Sequence, residues 1–172
     1  MTSFSPPKVD IVVSVGVWRR VPALADITRK AIHTCWMTVG VDAAVNSALC
    51  ILLCSDKRIR ELNKTWRGID KATNVLSFTG DVGPDGVLHG DIVVAYETVE
   101  REAWVERKPF ANHYQHMIIH GFLHVLGYDH IHHVDAEVME LEERRTLARL
   151  SIPDPYRTRK LRKRANRSGR RN

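Results

Sequence analysis

No stretch of this sequence holds an apolar run near the ~20 residues that a helix needs to span a bilayer, which argues against a helical membrane protein. The opening residues, MTSFSPPKVD, lack the basic and apolar regions of a signal peptide, so the expected setting is the cytoplasm. Cysteine is scarce: Cys35, Cys50 and Cys54 are an odd set of three with no CxxC pair, each among apolar neighbours. That pattern excludes a disulfide framework and reads as reduced, small apolar residues in a reducing compartment. No internal repeat is visible, which removes the solenoid and propeller classes. Acid is missing from 156–172, where nine of the 26 Lys and Arg are concentrated, so the rest of the chain sets 17 basic residues against 20 acidic ones. The chain is therefore a mildly acidic body with a basic tail too poor in apolar residues to fold alone. Such a tail is either a solvated, disordered end or a contact for phosphates.

What is present is an ordinary globular composition, 44% hydrophobic and 27% charged over 172 residues. One domain over 1–155 is expected, with the tail at 156–172. The β-branched run Val9–Val17 predicts a strand, and Pro22 opens a helix to about Val39 on the spacing of Leu24, Ile27, Ala31 and Cys35. Asn46–Cys54 predicts a strand, then a helix capped by Ser55 or Asp56 runs to about Trp66 and stops at Gly68. Thr73–Phe78 and Gly90–Tyr96 predict two more strands around a turn-rich 80–86. Helices follow over about 97–106, 109–126 and 135–150, the last with Val138, Leu141, Leu147 and Leu150 as its apolar face. The fold class is α/β in the α+β sense: one mixed sheet of about four strands against about five helices.

The chemistry concentrates in HGFLHVLGYDH at 120–130. His120 and His124 are four apart, which on a helix sets both rings on one face with Cβ atoms about 6 Å apart. Gly127 can take a left-handed backbone, end the helix and turn the chain so that His130 returns to the same ion. Three imidazoles leave one tetrahedral position open for water, the style of a catalytic rather than a structural zinc site. His132 or His133 could serve as third ligand instead, although the turn favours His130. His116 shares the helix face and is read as a helix-face residue rather than a group behind the ligands. The spacing matches the metzincin proteases except at Gly121, where those enzymes place the glutamate base. A glycine cannot take a proton from water, so peptide hydrolysis by that route is disfavoured. Asp129 and His116 are the candidate bases, and the nucleophile is water or a hydroxyl of the substrate.

Three segments in order, ELNKTWRGIDKATNVLSF at 61–78, HGDIVVA at 89–95 and HGFLHVLGYDH at 120–130, resemble the YbeY family of bacterial rRNA-maturation endoribonucleases. The resemblance implies a metal site in the C-terminal helical half, facing a cleft, with His120, His124 and His130 as ligands. It implies cytoplasmic, single-strand-specific cleavage of ribosomal RNA, including 3′ end maturation of the small-subunit RNA, and ribosome quality control. It places a functional arginine at Arg67, which from the residues alone is equally a surface partner of Asp70. Zinc suits all-imidazole ligation, with nickel or another transition metal as alternatives. Lys64, Lys71, Arg157, Arg159 and Lys160 are expected RNA contacts, and a monomer is expected because the helix faces are satisfied by one core. Two departures from the family pattern stand out. Asn74 replaces an aspartate, which loses a charge, and Thr79 replaces a proline, which should alter only turn stiffness. The competing functions are a metalloprotease with its base elsewhere, and a non-catalytic ribosome assembly factor whose metal only holds the helices.

Overall fold

The computed structural model describes residues 6–40 and 46–157. Four strands, β1 (Lys8–Val13), β2 (Asn46–Cys54), β3 (Val75–Val82) and β4 (Val87–Ala95), form one sheet in the order β1-β2-β4-β3. β1, β2 and β4 are parallel, and β3 is antiparallel to β4. Five α-helices surround it: α1 (Leu24–Val39), α2 (Asp56–Arg67), α3 (Tyr96–Val105), α4 (Phe110–Val125) and α5 (His133–Arg149). The mixed α+β architecture is the expected one.

Strand alternation divides the core between two sheet faces. Leu49, Ile51 and Leu53 of β2, with Ile92 and Val94 of β4, face the larger cluster, which includes Ile118, Ile119 and Phe122 of α4. Val93, Ala95 and Cys54 face the smaller cluster, closed by Ile59 of α2 and Leu76 of β3. Trp18 is fully buried in the larger cluster against Tyr96, Phe110 and Tyr114, and its indole N–H donates to the Cys54 carbonyl at 3.0 Å. A buried tryptophan needs such a partner for its one donor. Burial pushes the Cys35 and Cys54 thiols up to about 12, which suits the expected role of inert apolar residues.

Several boundaries differ from the sequence reading, each for a local reason. β1 stops at Val13 because Gly16–Arg20 winds into a 3-10 helix that drives Trp18 inward. α1 begins at Leu24, after Ala23 takes a left-handed backbone with φ 50°. β3 and β4 reach into the stretch read as turn: the ladder carries Thr79 opposite Gly90 and Val82 opposite Leu88, leaving only the tight turn at Gly83–Gly86. These residues look like loop because the outer half of the hairpin is exposed. α5 turns a different face inward. Val138 and Leu141 are about half exposed, while Met139, Glu142, Glu143, Thr146 and Leu147 are buried.

The position of α4 is set by two glycines. A Cβ on Gly90 of β4 would sit 2.4 Å from Val125 Cγ1, and one on Gly121 of α4 would sit 2.9 Å from Ile92 Cγ2 and 3.0 Å from Ser77 Oγ. The helix therefore lies against bare backbone at both ends of its contact with β3 and β4. Gly90→Ala should lose about 1–3 kcal/mol through overpacking, read as the urea unfolding free energy. Unchanged stability would mean that α4 is free to shift outward.

Candidate metal centre

α4 carries His120 and His124 one turn apart, and its C-terminus delivers the third histidine. Gly127 has φ 91°, its N–H donates to the His124 carbonyl at 3.0 Å, and the Tyr128 N–H donates to the Leu123 carbonyl at 3.0 Å. This paired arrangement closes the helix and reverses the chain. His130 then returns over the two α4 rings, with centroids 5.7 Å from His120 and 5.0 Å from His124. One ligand atom from each of His120, His124 and His130 lies within 4.8 Å of the others, so the cluster could hold a metal ion. His132 and His133 are not members of this cluster.

The donor set is chemically prepared for a cation. His124 Nδ1–H donates to the Tyr128 carbonyl at 2.9 Å, and His120 Nδ1–H donates to Glu143 Oε1 at 2.6 Å. Both Nδ1 positions are thereby occupied, and the two Nε2 atoms converge at 3.2 Å with lone pairs available. Burial, then the neighbouring His120 and His130, push the His124 imidazole below its ordinary value, favouring the neutral form that ligates metal.

Glu143 lies behind the histidines and is 1% exposed. Burial alone would raise its carboxyl, but hydrogen bonds from His116 and His120, and their charge, hold it well below the usual carboxylate range. His116 Nε2 is 3.0 Å from Glu143 Oε2. The reading of His116 as a mere helix-face residue is thus corrected: it is 8% exposed and braces the carboxylate that orients His120. That position also removes it from the cleft, where a base would have to act. The Tyr156 hydroxyl donates to the same Oε2.

The histidines open into a cavity of about 590 Å³ whose lining also includes Arg67, Asn74, Ser77 and Thr79. α2 ends at Arg67 because Gly68 takes φ 71° and donates its N–H back to Lys64. Arg67 Nη2 donates to the Ser77 carbonyl at 3.3 Å. The alternative pairing with Asp70 does not occur: Asp70 holds Arg60 at 2.6 Å and Lys64 at 3.1 Å. Lys64 and Lys71 are exposed outside the cavity lining, and Arg157 is exposed beyond α5. Arg159 and Lys160 lie outside the described residues, as does most of the basic tail. Asp129 lines the cavity, with Oδ1 accepting the His130 N–H at 2.6 Å.

The two departures at β3 have specific surroundings. Thr79 is a strand residue, not a turn residue, and its hydroxyl donates to the His124 carbonyl at 3.3 Å. Asn74 accepts the Val75 N–H at 2.7 Å and donates to both oxygens of Glu102, at 3.0 and 3.3 Å. Glu102 also pairs with buried His113 at 2.8 Å. The sequence reading missed Glu143, Glu102 and Tyr156. The available signal was acid at 142 and 143 between Met139 and Leu147, inside an apolar helical spacing.

Comparison with known proteins supplies the remaining findings. The endoribonuclease YbeY family profile matches residues 18–151. A protein of Methylocella silvestris named endoribonuclease YbeY is 47% identical over 87% of this chain and 86% of its own length. One of the same name from a Bradyrhizobium species is 44% identical over 87% of this chain and 92% of its own. The solution structure of a Thermotoga maritima protein shares the fold with a TM-score of 0.54, at 24% identity over 83% of this chain and 91% of that one.

Asn74 generates a pH prediction. Burial tends to raise the Glu102 carboxyl, yet the hydrogen bonds from His113 and Asn74 hold it below its ordinary value. Its contribution is therefore complete above about pH 4.3 and is lost as pH falls through the lowered value. Asn74→Asp sets a second carboxylate against Glu102, so the variant should lose about 1–3 kcal/mol at neutral pH. The deficit should shrink on acidification as one carboxyl takes a proton. Urea midpoints of both proteins at pH 7.5 and 4.5 check this, and an equal deficit at the two values would refute it.

Proposed function

Because the chain belongs to the YbeY endoribonuclease family, we propose that it cuts single-stranded ribosomal RNA at a centre where His120, His124 and His130 hold one zinc ion and Arg67 engages the scissile phosphate. The observation that carries this reading is that the three imidazoles and Arg67 line one cavity. Cation-binding nitrogens facing a guanidinium suit a substrate that carries a phosphate between them. The cavity volume lies within the range of small-ligand clefts, which suits a flexible strand entering it rather than a rigid duplex.

A bound divalent ion supplies Lewis acidity and a water of lowered pKa. The chain's own residues do the rest. Arg67 spends one donor on the Ser77 carbonyl, which aims the guanidinium, and a guanidinium has five N–H donors. The others neutralise the charge that builds on the phosphate in the transition state. Gly121 offers no proton acceptor where a peptidase carries its glutamate, and the packing of Ile92 and Ser77 leaves no room for one. Asp129 is the group placed to receive a proton at the cavity wall. Lys64, Lys71 and the residues of the basic tail, Arg157, Arg159 and Lys160 among them, add affinity for the RNA backbone without reading sequence.

We take 1–155, with Tyr156 docked on Glu143, as the catalytic domain and the rest of 156–172 as an RNA-contacting tail, in a monomer acting in the cytoplasm on the small-subunit rRNA 3′ end. Among the described residues no helix is long and apolar enough to cross a membrane. Nickel remains an alternative to zinc, decided by metal content of the purified protein.

The test is cleavage of a labelled single-stranded rRNA fragment by highly purified protein. Arg67→Ala should lower kcat/KM by about 10²–10³-fold, and His124→Ala should abolish turnover. A chelator should silence the wild type, and added zinc should restore it but not rescue His124→Ala. Equal cleavage by all three proteins would overturn the assignment in favour of a ribosome assembly factor.

A further inference from the structure

We propose that Tyr156, beyond the last helix, is a positioning residue of the metal centre, acting through Glu143 on His120. The inference rests on the reading that the three histidines hold a metal ion.

Glu143 is the only carboxylate joining His116 to His120 among the described residues. Its two oxygens are used differently. Oε1 accepts the His120 Nδ1–H at 2.6 Å, while Oε2 accepts His116 Nε2–H at 3.0 Å and the Tyr156 hydroxyl. A carboxylate that is 1% exposed cannot borrow water to fill its lone pairs, so these three donors set how it rotates. Two donors on Oε2 pin that oxygen away from the ligand ring and leave Oε1 aimed at His120. With the Nδ1–H of His120 fixed there, its Nε2 is fixed toward His124 and His130.

Tyr156 reaches this oxygen by a built path. α5 ends with Ser151 at φ 59°, the Ser151 N–H on the Ala148 carbonyl and the Ile152 N–H on the Leu147 carbonyl. That pair of bonds reverses the chain, and Ile152, 9% exposed, docks into the core beside Leu147. Pro153 and Pro155 stiffen the next steps, and the Asp154 carboxylate accepts the Tyr156 N–H at 2.8 Å. The phenol ring then stands edge-on to His116, centroids 5.9 Å apart, with the Arg144 guanidinium 5.8 Å from its centre. Burial and Glu143 push the phenol above its ordinary value, so the hydroxyl keeps the proton that it donates. Phenylalanine would occupy the same seat, which separates the hydroxyl's role from the ring's packing.

The test compares wild type, Tyr156→Phe and Glu143→Gln, all full length and metal-free at the start. Zinc affinity is measured by competition with a chromogenic chelator, the ligand field by the visible spectrum of the cobalt-substituted protein, and packing by the melting temperature without metal. Wild type should bind one zinc. Glu143→Gln should bind it 10–100-fold more weakly, the range for loss of an outer partner. Tyr156→Phe should bind it about tenfold more weakly, with altered cobalt bands and a smaller gain in melting temperature on zinc addition. If Tyr156→Phe matches wild type in affinity and cobalt spectrum, the tyrosine only packs and the proposal fails. If folded wild type itself takes up no zinc, the three-histidine reading fails and the proposal with it, a result distinct because it appears before any variant is compared.

Discussion

The close seat of α4 on the sheet is the constraint from which the rest of the site follows. Gly90 and Gly121 remove the two Cβ atoms that would hold the helix off β4 and β3. At that separation His120 and His124 share a cavity with Arg67, and Thr79 can reach the His124 carbonyl. The same contact explains the chemistry that is missing. The position where a metallopeptidase carries its base meets Ile92, Ser77 and Val75 within 3.2 Å of an added Cβ, so a carboxylate there would have to displace those side chains. The glycine is a packing requirement first, and its catalytic consequence follows.

Around that helix the interior is unusually polar. His113, His116 and His120 follow helical spacing and meet two carboxylates, Glu102 from α3 and Glu143 from α5. A buried carboxylate left without its hydrogen-bond donors costs more than the bonds themselves contribute. These pairs act as registers: they let α3 and α5 dock on α4 in one way. Apolar packing alone would tolerate a slid or rotated helix, and a slide would misaim His120.

Much of this was legible in sequence because the relevant signals are local. β2 and α2 were bounded to within a residue: an apolar run, a serine cap whose hydroxyl oxygen accepts the Arg58 N–H, and a glycine stop are read over short spacings. The three-histidine cluster was legible for the same reason, since helix spacing and the Gly127 turn fix it. The inward face of α5 was not. Its leucines and valine suggested one stripe, but the stripe that docks carries Glu143, which His116 and His120 of α4 await, and Glu142, which takes Arg145 from its own helix. Partnership between residues 23 and 27 apart leaves no periodic trace in a single chain. The extension of β3 and β4 escaped for a related reason: strand pairing, not hydrophobic burial, recruits the exposed residues Thr79 to Val82.

The span between His120 and its carboxylate has a consequence for the order in which the protein becomes itself. Synthesis proceeds from the N-terminus at roughly 5–20 residues per second. The parallel pairing of β2 with β4 must wait for all of the intervening hairpin strand and α2, a non-local step of the kind that slows folding. When α4 has emerged, His116 and His120 still lack Glu143, 23 residues downstream of His120, and the tyrosine that follows it. A nascent chain therefore passes through an interval in which the imidazoles exist but are not yet aimed. The contacts of His116 and His120 are completed only with the segment that carries Glu143 and Tyr156, so a product truncated before it has the imidazoles and lacks the carboxylate they bond.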